Sequence, residues 1–231
     1  MSTTGNLTFL VAERTRAAHE QAESKPFITG LLAGSGSVRC YVSLIGALLP
    51  VYQALESQMR CNNDDASIAL FDHRRLDRSA RICADLRGFG QDPEGTVVNP
   101  ATRRYVESVE SAAASPQRLL AHHYTRYLGD LAGGQAIARS VMTHYDVNPD
   151  LLSFYDFSDL GDVVHYRRRY KSLLDLVPWS AGEKQEFVDE VVRAFELNSS
   201  LFEELEGKGE PADVRTNLRG LFRAERAHSP R

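Results

Sequence analysis

The chain has 231 residues, of which 42% are hydrophobic and 25% charged, with 27 basic against 31 acidic side chains and a formal charge of −4. That length suits one sizeable domain or two small ones, and the slight acidic excess argues against nucleic acid as the main partner, which would ask for a basic face. No run reaches the ~20 apolar residues of a membrane span, the stretch from Tyr41 to Leu55 being broken by Ser43, Gly46, Pro50 and Gln53, and the N-terminus lacks the basic-then-apolar order of a signal peptide.

Helical periodicity dominates and strand-like alternation is nearly absent, which predicts an all-α fold. The spacing of Leu7, Leu10, Val11, Ala18 and Ala22 predicts a helix over 6–23. Gly34-Ser35-Gly36 closes a short second helix, and Ser37 caps a third from Val38 to about Met59, kinked at Pro50. Asp72 is placed to cap a fourth helix that ends near Gly88. Residues 88–99 read as loop, and Pro100 opens the next helix at its first position. Ser115-Pro116 begins a long helical segment to Tyr145, which Asn148-Pro149 ends. A helix with a basic face follows over 159–177. Ser180 and Glu183 then form a capping box for the last strong helix, on which Phe187, Val191, Phe195, Asn198 and Phe202 share a face. The sequence reads as one helical domain over 1–206 and a polar tail over 207–231, which carries Arg215, Arg219, Arg223, Arg226 and Arg231 and one weak helix over 213–223. Cys40, Cys61 and Cys83 are odd in number and lack metal-ligand spacing, which fits thiols in a reducing, cytoplasmic setting.

The long segment to Tyr145 contains the chain's most unusual feature. Gly129, Gly133 and Gly134 stand inside a helix, where each costs about 1 kcal/mol relative to alanine. A backbone stripped of Cβ atoms suits the close approach of something large and flat; the bland alternative is a tight helix–helix contact. Asp130 favours the first reading. An acid beside a bare, apolar patch needs buried partners, and Arg126 lies one turn before it. Tyr52 and Asn198, polar residues on apolar helix faces, can complete a buried network. In the first helix, His19 has small neighbours, and Glu23 lies about 40° around the helix, where a carboxylate can orient an imidazole that binds a metal. His122 and His123 point about 100° apart and cannot easily share an ion, so they read as helix-surface or packing residues. Arg167 and Lys171, with Arg16 and Tyr124, could together bind two carboxylates.

These residues resemble the haem oxygenases. Residues 122–135, HHYTRYLGDLAGGQ, resemble that family's distal-helix motif. Residues 18–23, AHEQAE, are similar to the proximal-helix motif, and 194–202, AFELNSSLF, to the last core helix. Tyr52 to Glu56 fits as well, and the matches keep the family's order from about 6 to 206. The resemblance implies a single-domain helical fold with haem b between the proximal helix and a kinked distal helix. It implies His19 as the axial iron ligand, Glu23 as its orienting partner, and Gly129 and Gly133 over the distal face, with Gly134 widening the bare patch. Asp130 would hold water there, supported by Arg126, Tyr52 and Asn198, while Arg16, Tyr124, Arg167 and Lys171 match positions that contact the propionates. Haem would be both cofactor and substrate, opened at a meso carbon (α expected) to biliverdin, carbon monoxide and ferrous iron. The reaction takes O2, and electrons must come from a separate ferredoxin or flavoprotein reductase, since the chain has no nucleotide-binding glycine fingerprint and no cysteine cluster. Nothing demands more than a monomer. Ala12 stands where many relatives carry lysine, Ala132 where serine is common, and Arg167 and Lys171 reverse a frequent Lys-then-Arg order. A haem carrier or sensor on the same fold is the alternative reading, and Asp130 argues against it.

Overall fold

Among the described residues, 6–71 and 73–206, the computed structural model contains nine α-helices and no strand. They are α1 (Leu7–Glu23), α2 (Pro26–Ala33), α3 (Val38–Cys61), α4 (Ser79–Gly88), α5 (Pro100–Ala112), α6 (Pro116–Gly129), α7 (Gln135–Tyr145), α8 (Val163–Leu176) and α9 (Ala181–Glu206). The all-α, single-domain reading of the sequence holds. The polar tail over 207–231 and Asp72 lie outside the described residues.

The caps explain most boundaries. The Asn6 side chain accepts from the Thr8 amide at the start of α1, and Asn99 and Ser115 do the same at Thr102 and Arg118 for α5 and α6. Proline occupies the first turn of α2, α5 and α6, where its missing N–H costs nothing. Gly34 ends α2 in the left-handed conformation, φ 71°. The capping box of α9 forms as expected: the Ser180 amide donates to Glu183 at 2.7 Å and the Glu183 amide to Ser180 Oγ at 3.3 Å.

Two helix starts differ from expectation. The helix expected from 159 begins at Val163, because Gly161 takes φ 76° and Asp162 supplies the cap, accepting from the amides of Val164 and His165. At α4 the capping carboxylate comes from another helix. Glu56, buried in α3, accepts from the amides of Arg78 at 2.6 Å and Ser79 at 2.8 Å, and from the Ser79 hydroxyl. This places a negative charge on the positive end of the α4 dipole.

Helix α3 runs through the core. It continues past Pro50 to Cys61, with Tyr41, Ile45, Val51, Tyr52 and Leu55 fully buried. It is the one described helix long and apolar enough to cross a membrane, but 61% of that stretch is buried inside the protein, as suits a core helix. Helix α9 packs along α1, α5 and α6, and α3 packs on α4 and α5. Helix α1 is tied to α8 where the Thr8 amide and hydroxyl donate to Asp175 at 2.9 and 3.0 Å. These contacts bring the His19 helix, the glycine segment and the Asn198 helix to one cavity.

The two histidines before the glycines are fully buried, not on the helix surface. His122 Nε2 lies 2.9 Å from Glu190 on α9, and His123 Nδ1 lies 2.8 Å from the Tyr170 hydroxyl on α8. Different partners on different helices rule out a shared ion, and both act in packing. Burial pushes His123 down to about 3, so it stays neutral at physiological pH.

Candidate functional site

Between α6 and α7 the helix widens. Residues Asp130–Gly134 form a π turn, so the segment expected as one long helix is continuous but carries extra backbone at the glycines. Single π turns inside α-helices recur at functional sites. The turn forms one wall of a cavity of about 410 Å³, within the ~300–1,000 Å³ range of small-molecule sites. Opposite it stand His19, Ala22 and Glu23 of α1 and Phe195 and Phe202 of α9, with Ile28, Leu32, Leu44 and Leu48 from α2 and α3. The lining is mostly apolar, and its polar members are few.

The glycines divide into two kinds. A Cβ built on Gly129 or on Gly133 meets no heavy atom within 4 Å, so both backbones face open cavity space. A Cβ on Gly134 would lie 2.3 Å from the Tyr155 ring. Gly134 lines the cavity too, but its missing side chain is needed by a neighbouring aromatic. Gly134 therefore does not simply widen the bare patch, as expected, but makes room for Tyr155.

The polar network at the distal wall assembles around Arg126, and Tyr52, Arg126, Asp130 and Asn198 are brought together. The Tyr52 hydroxyl donates to Asp130. Arg126 Nη2 lies 3.2 Å from Asp130 Oδ1 and 3.0 Å from the Tyr52 hydroxyl, and its Nη1 donates to Asn198 Oδ1 at 2.6 Å. Asn198 Nδ2 in turn donates to the Ala194 carbonyl at 3.0 Å. All four side chains are buried. Burial raises the Asp130 carboxyl, opposed by the Arg126 charge and the Tyr52 hydrogen bond. Burial also works against the Arg126 charge, but Tyr52 and Asp130 outweigh it and hold the guanidinium protonated. Tyr52 is pushed well up by its burial.

Across the cavity, His19 Nδ1 lies 3.4 Å from Glu23 Oε2, and Phe195 packs edge-on to the imidazole at 5.2 Å. Nε2 has no partner among the described residues. The ring is thus oriented through one nitrogen and leaves the other for a metal.

Arg16, Tyr124, Arg167 and Lys171 do not line this cavity. Arg16 and Lys171 are exposed on α1 and α8. Burial raises the Tyr124 phenol, while the Arg167 charge opposes the rise and Asp175 adds to it. Arg167 Nε is buried without a hydrogen-bond partner.

A hydrophobic cavity with a single available imidazole nitrogen, a facing wall without Cβ atoms and one buried acid network is a strong fit to a flat metal macrocycle. Residues 6–204 match the family model described as "Heme oxygenase".

The chain belongs to the heme oxygenase family.

It is 32% identical to the heme oxygenase of Guillardia theta, with 87% of this chain and 86% of that protein aligned. It is 35% identical to the heme oxygenase of Porphyra purpurea over 84% of each chain. Among solved structures it is similar to Synechocystis heme oxygenase-1 in complex with heme, with a TM-score of 0.84, 29% identity and coverage of 96% of this chain and 100% of that one. Membership makes the chain a haem-degrading oxidoreductase and disfavours the carrier or sensor reading.

Sequence reasoning did not single out Tyr155, which lines the cavity, or Glu190, which receives both Arg118 and His122. Neither had a local signal. Their roles depend on contacts 68 and 72 residues away for Glu190, and on a glycine 21 positions earlier for Tyr155.

Proposed function

We propose that this cavity holds haem with His19 Nε2 on the iron, Glu23 orienting the ring through Nδ1, and the Gly129 and Gly133 backbone against the opposite face. When bound, haem b supplies both the iron that activates O2 and the ring that is opened at a meso carbon, α expected, to biliverdin, carbon monoxide and ferrous iron. The protein's part is to orient, exclude and hold. The bare backbone at Gly129 and Gly133 would let the macrocycle approach closely, so that a small ligand on the distal face would be crowded toward an edge of the ring. Asp130 stands beside that space and holds water through its carboxylate, while Tyr52 and Arg126 fix the carboxylate and Asn198 fixes Arg126. The chain's own acid therefore acts at one remove, through water. Arg167 and Tyr124, with Arg16 and Lys171 nearer the surface, are the cationic and hydroxyl groups for the two propionates, and their arrangement sets which meso edge faces Asp130.

Electrons come from a separate ferredoxin or flavoprotein, the chain acts as a monomer in the cytoplasm, and residues 1–206 form the catalytic unit with 207–231 appended.

The observation that carries the reading is the pairing of an oriented imidazole with a glycine wall across one apolar cavity, with Asp130 at its edge. The test is to add one equivalent of hemin and then reductant in air. A Soret band that forms and gives way to bilin absorption, with release of carbon monoxide, is expected. A Soret band that persists would favour a carrier, and no band at all would return the glycines to helix packing.

A further inference from the structure

Tyr155 is held against the π turn from several sides. It ends the short 3-10 turn Ser153–Tyr155, which Asp85 of α4 pins by accepting from the amides of Ser153 at 3.0 Å and Phe154 at 2.8 Å and from the Ser153 hydroxyl at 2.6 Å. Phe154 stands edge-on to Tyr52, centroids 5.3 Å apart. Gln135, the first residue of α7, donates its side-chain N–H to the Tyr155 carbonyl at 2.5 Å. The ring occupies the place a Cβ on Gly134 would take. Glycine at 134 therefore serves to seat this ring.

The seated ring is 3% exposed and lines the same cavity as Asp130. Its hydroxyl has no hydrogen-bond partner among the described residues. Yet it is not sealed, in contrast to the unpartnered hydroxyls of Tyr41, Tyr105 and Tyr145. A buried hydroxyl without a partner is costly unless a ligand or an ordered water satisfies it. The cavity that Tyr155 lines has room for such a partner. Asp130 and Arg126 line the same cavity as Tyr155, and burial raises the phenol well above the ordinary tyrosine range, which keeps the O–H as a donor. A buried water needs two to four polar partners; the Asp130 carboxylate and the Tyr155 hydroxyl offer an acceptor and a donor on one cavity edge.

We infer that Tyr155 is a positioning residue of the distal cavity, its hydroxyl donating a hydrogen bond to the water or small ligand that Asp130 also faces. This rests on the haem reading above. The probe is fluoride, a small hydrogen-bond acceptor, titrated into the full chain loaded with ferric hemin and followed in the visible spectrum. Tyr155→Phe keeps the ring and its packing. It should leave hemin affinity within twofold and weaken fluoride binding about three- to tenfold, the worth of one hydrogen bond. Gly134→Ala, which displaces the ring but keeps the hydroxyl, should weaken fluoride in the same direction. Tyr145→Phe, which removes a buried hydroxyl outside the cavity lining, should change nothing. Fluoride affinity unchanged in both hemin-loaded Tyr155→Phe and Gly134→Ala would overturn this inference alone. A wild-type chain that takes up no hemin would overturn it together with the haem reading.

Discussion

Replacing Gly129 should make the empty protein more stable while spoiling its cavity. Gly129 has helical torsions, φ −60° and ψ −48°, and a Cβ there meets nothing within 4 Å. The substitution to alanine therefore breaks no contact, and it removes the conformational penalty of a helical glycine, about 1 kcal/mol. For a chain of this size that is about 2–4 °C in Tm. Gly129→Leu should keep most of the gain in the empty protein, because its side chain also points into open space. The same side chain stands where the macrocycle would lie, so hemin affinity should fall at least about tenfold, the equivalent of ~1.4 kcal/mol. Thermal melts of the hemin-free protein followed by circular dichroism, and Soret titrations with hemin, measure the two effects separately. A lower Tm for hemin-free Gly129→Ala would refute the claim that the position faces space. Unchanged hemin affinity in Gly129→Leu would refute the claim that the space is the haem's. Gly134→Ala supplies the contrast: its Cβ would press on Tyr155 at 2.3 Å, and the hemin-free protein should lose about 1–3 kcal/mol, as overpacked sites do.

His19→Ala should remove the imidazole signature from the spectrum of bound hemin, and added imidazole should restore it; a spectrum unchanged by the substitution would discard the ligand assignment. Asp130→Asn keeps the size of the side chain but leaves the buried Arg126 without its anion, so stability in urea should drop by about 1–3 kcal/mol while hemin still binds and biliverdin yield falls; a normal yield would show that the carboxylate is dispensable. Glu190→Gln should cost about 3 kcal/mol at pH 7, since Arg118 and His122 lose a buried charged acceptor. Burial alone would raise the Glu190 carboxyl, but the His122 and Arg118 hydrogen bonds outweigh it and hold it below the usual range. A carboxylate lowered by folding stabilises fully above its unfolded pKa of about 4.3 and loses that contribution as pH falls through the folded value. The gap between wild type and Glu190→Gln should thus be flat from pH 5 to 8 and close only below about pH 4; a gap that closes nearer pH 6 would refute the assignment to the Glu190 carboxylate.

The parts of this protein visible in its sequence are those set by local spacing. Arg126 and Asp130 lie four apart, so their pairing follows from helical geometry, and it is found at 3.2 Å. Tyr52 and Asn198 were recognisable as polar residues on apolar stripes, and His19 with Glu23 by the same one-turn rule. What was not legible depends on distant chain segments. Nothing near Ser79 announces that its helix is capped by Glu56, 23 residues earlier. Gly134 extends the bare patch of Gly129 and Gly133 in the sequence, and only the arrival of Tyr155 gives it a separate role. For His122 and His123 the sequence leaves surface and packing roles open, and only the contacts with Glu190 and Tyr170 decide for packing. The late start of α8 turns on the positive φ of Gly161, a backbone choice that the neighbouring periodicity overrides on paper.

Arg126 carries two duties at once. One guanidinium reaches Tyr52 on α3, Asp130 at the π turn and Asn198 on α9, so a single cation both holds the distal acid and joins three helices. A mutational scan scored by product alone would mark this residue as essential without saying which duty failed. An engineer who wishes to make the distal pocket apolar must first find another fastener for α9. Natural variation faces the same bind, since any route that alters the acid's environment passes through a change in how the helices are held together.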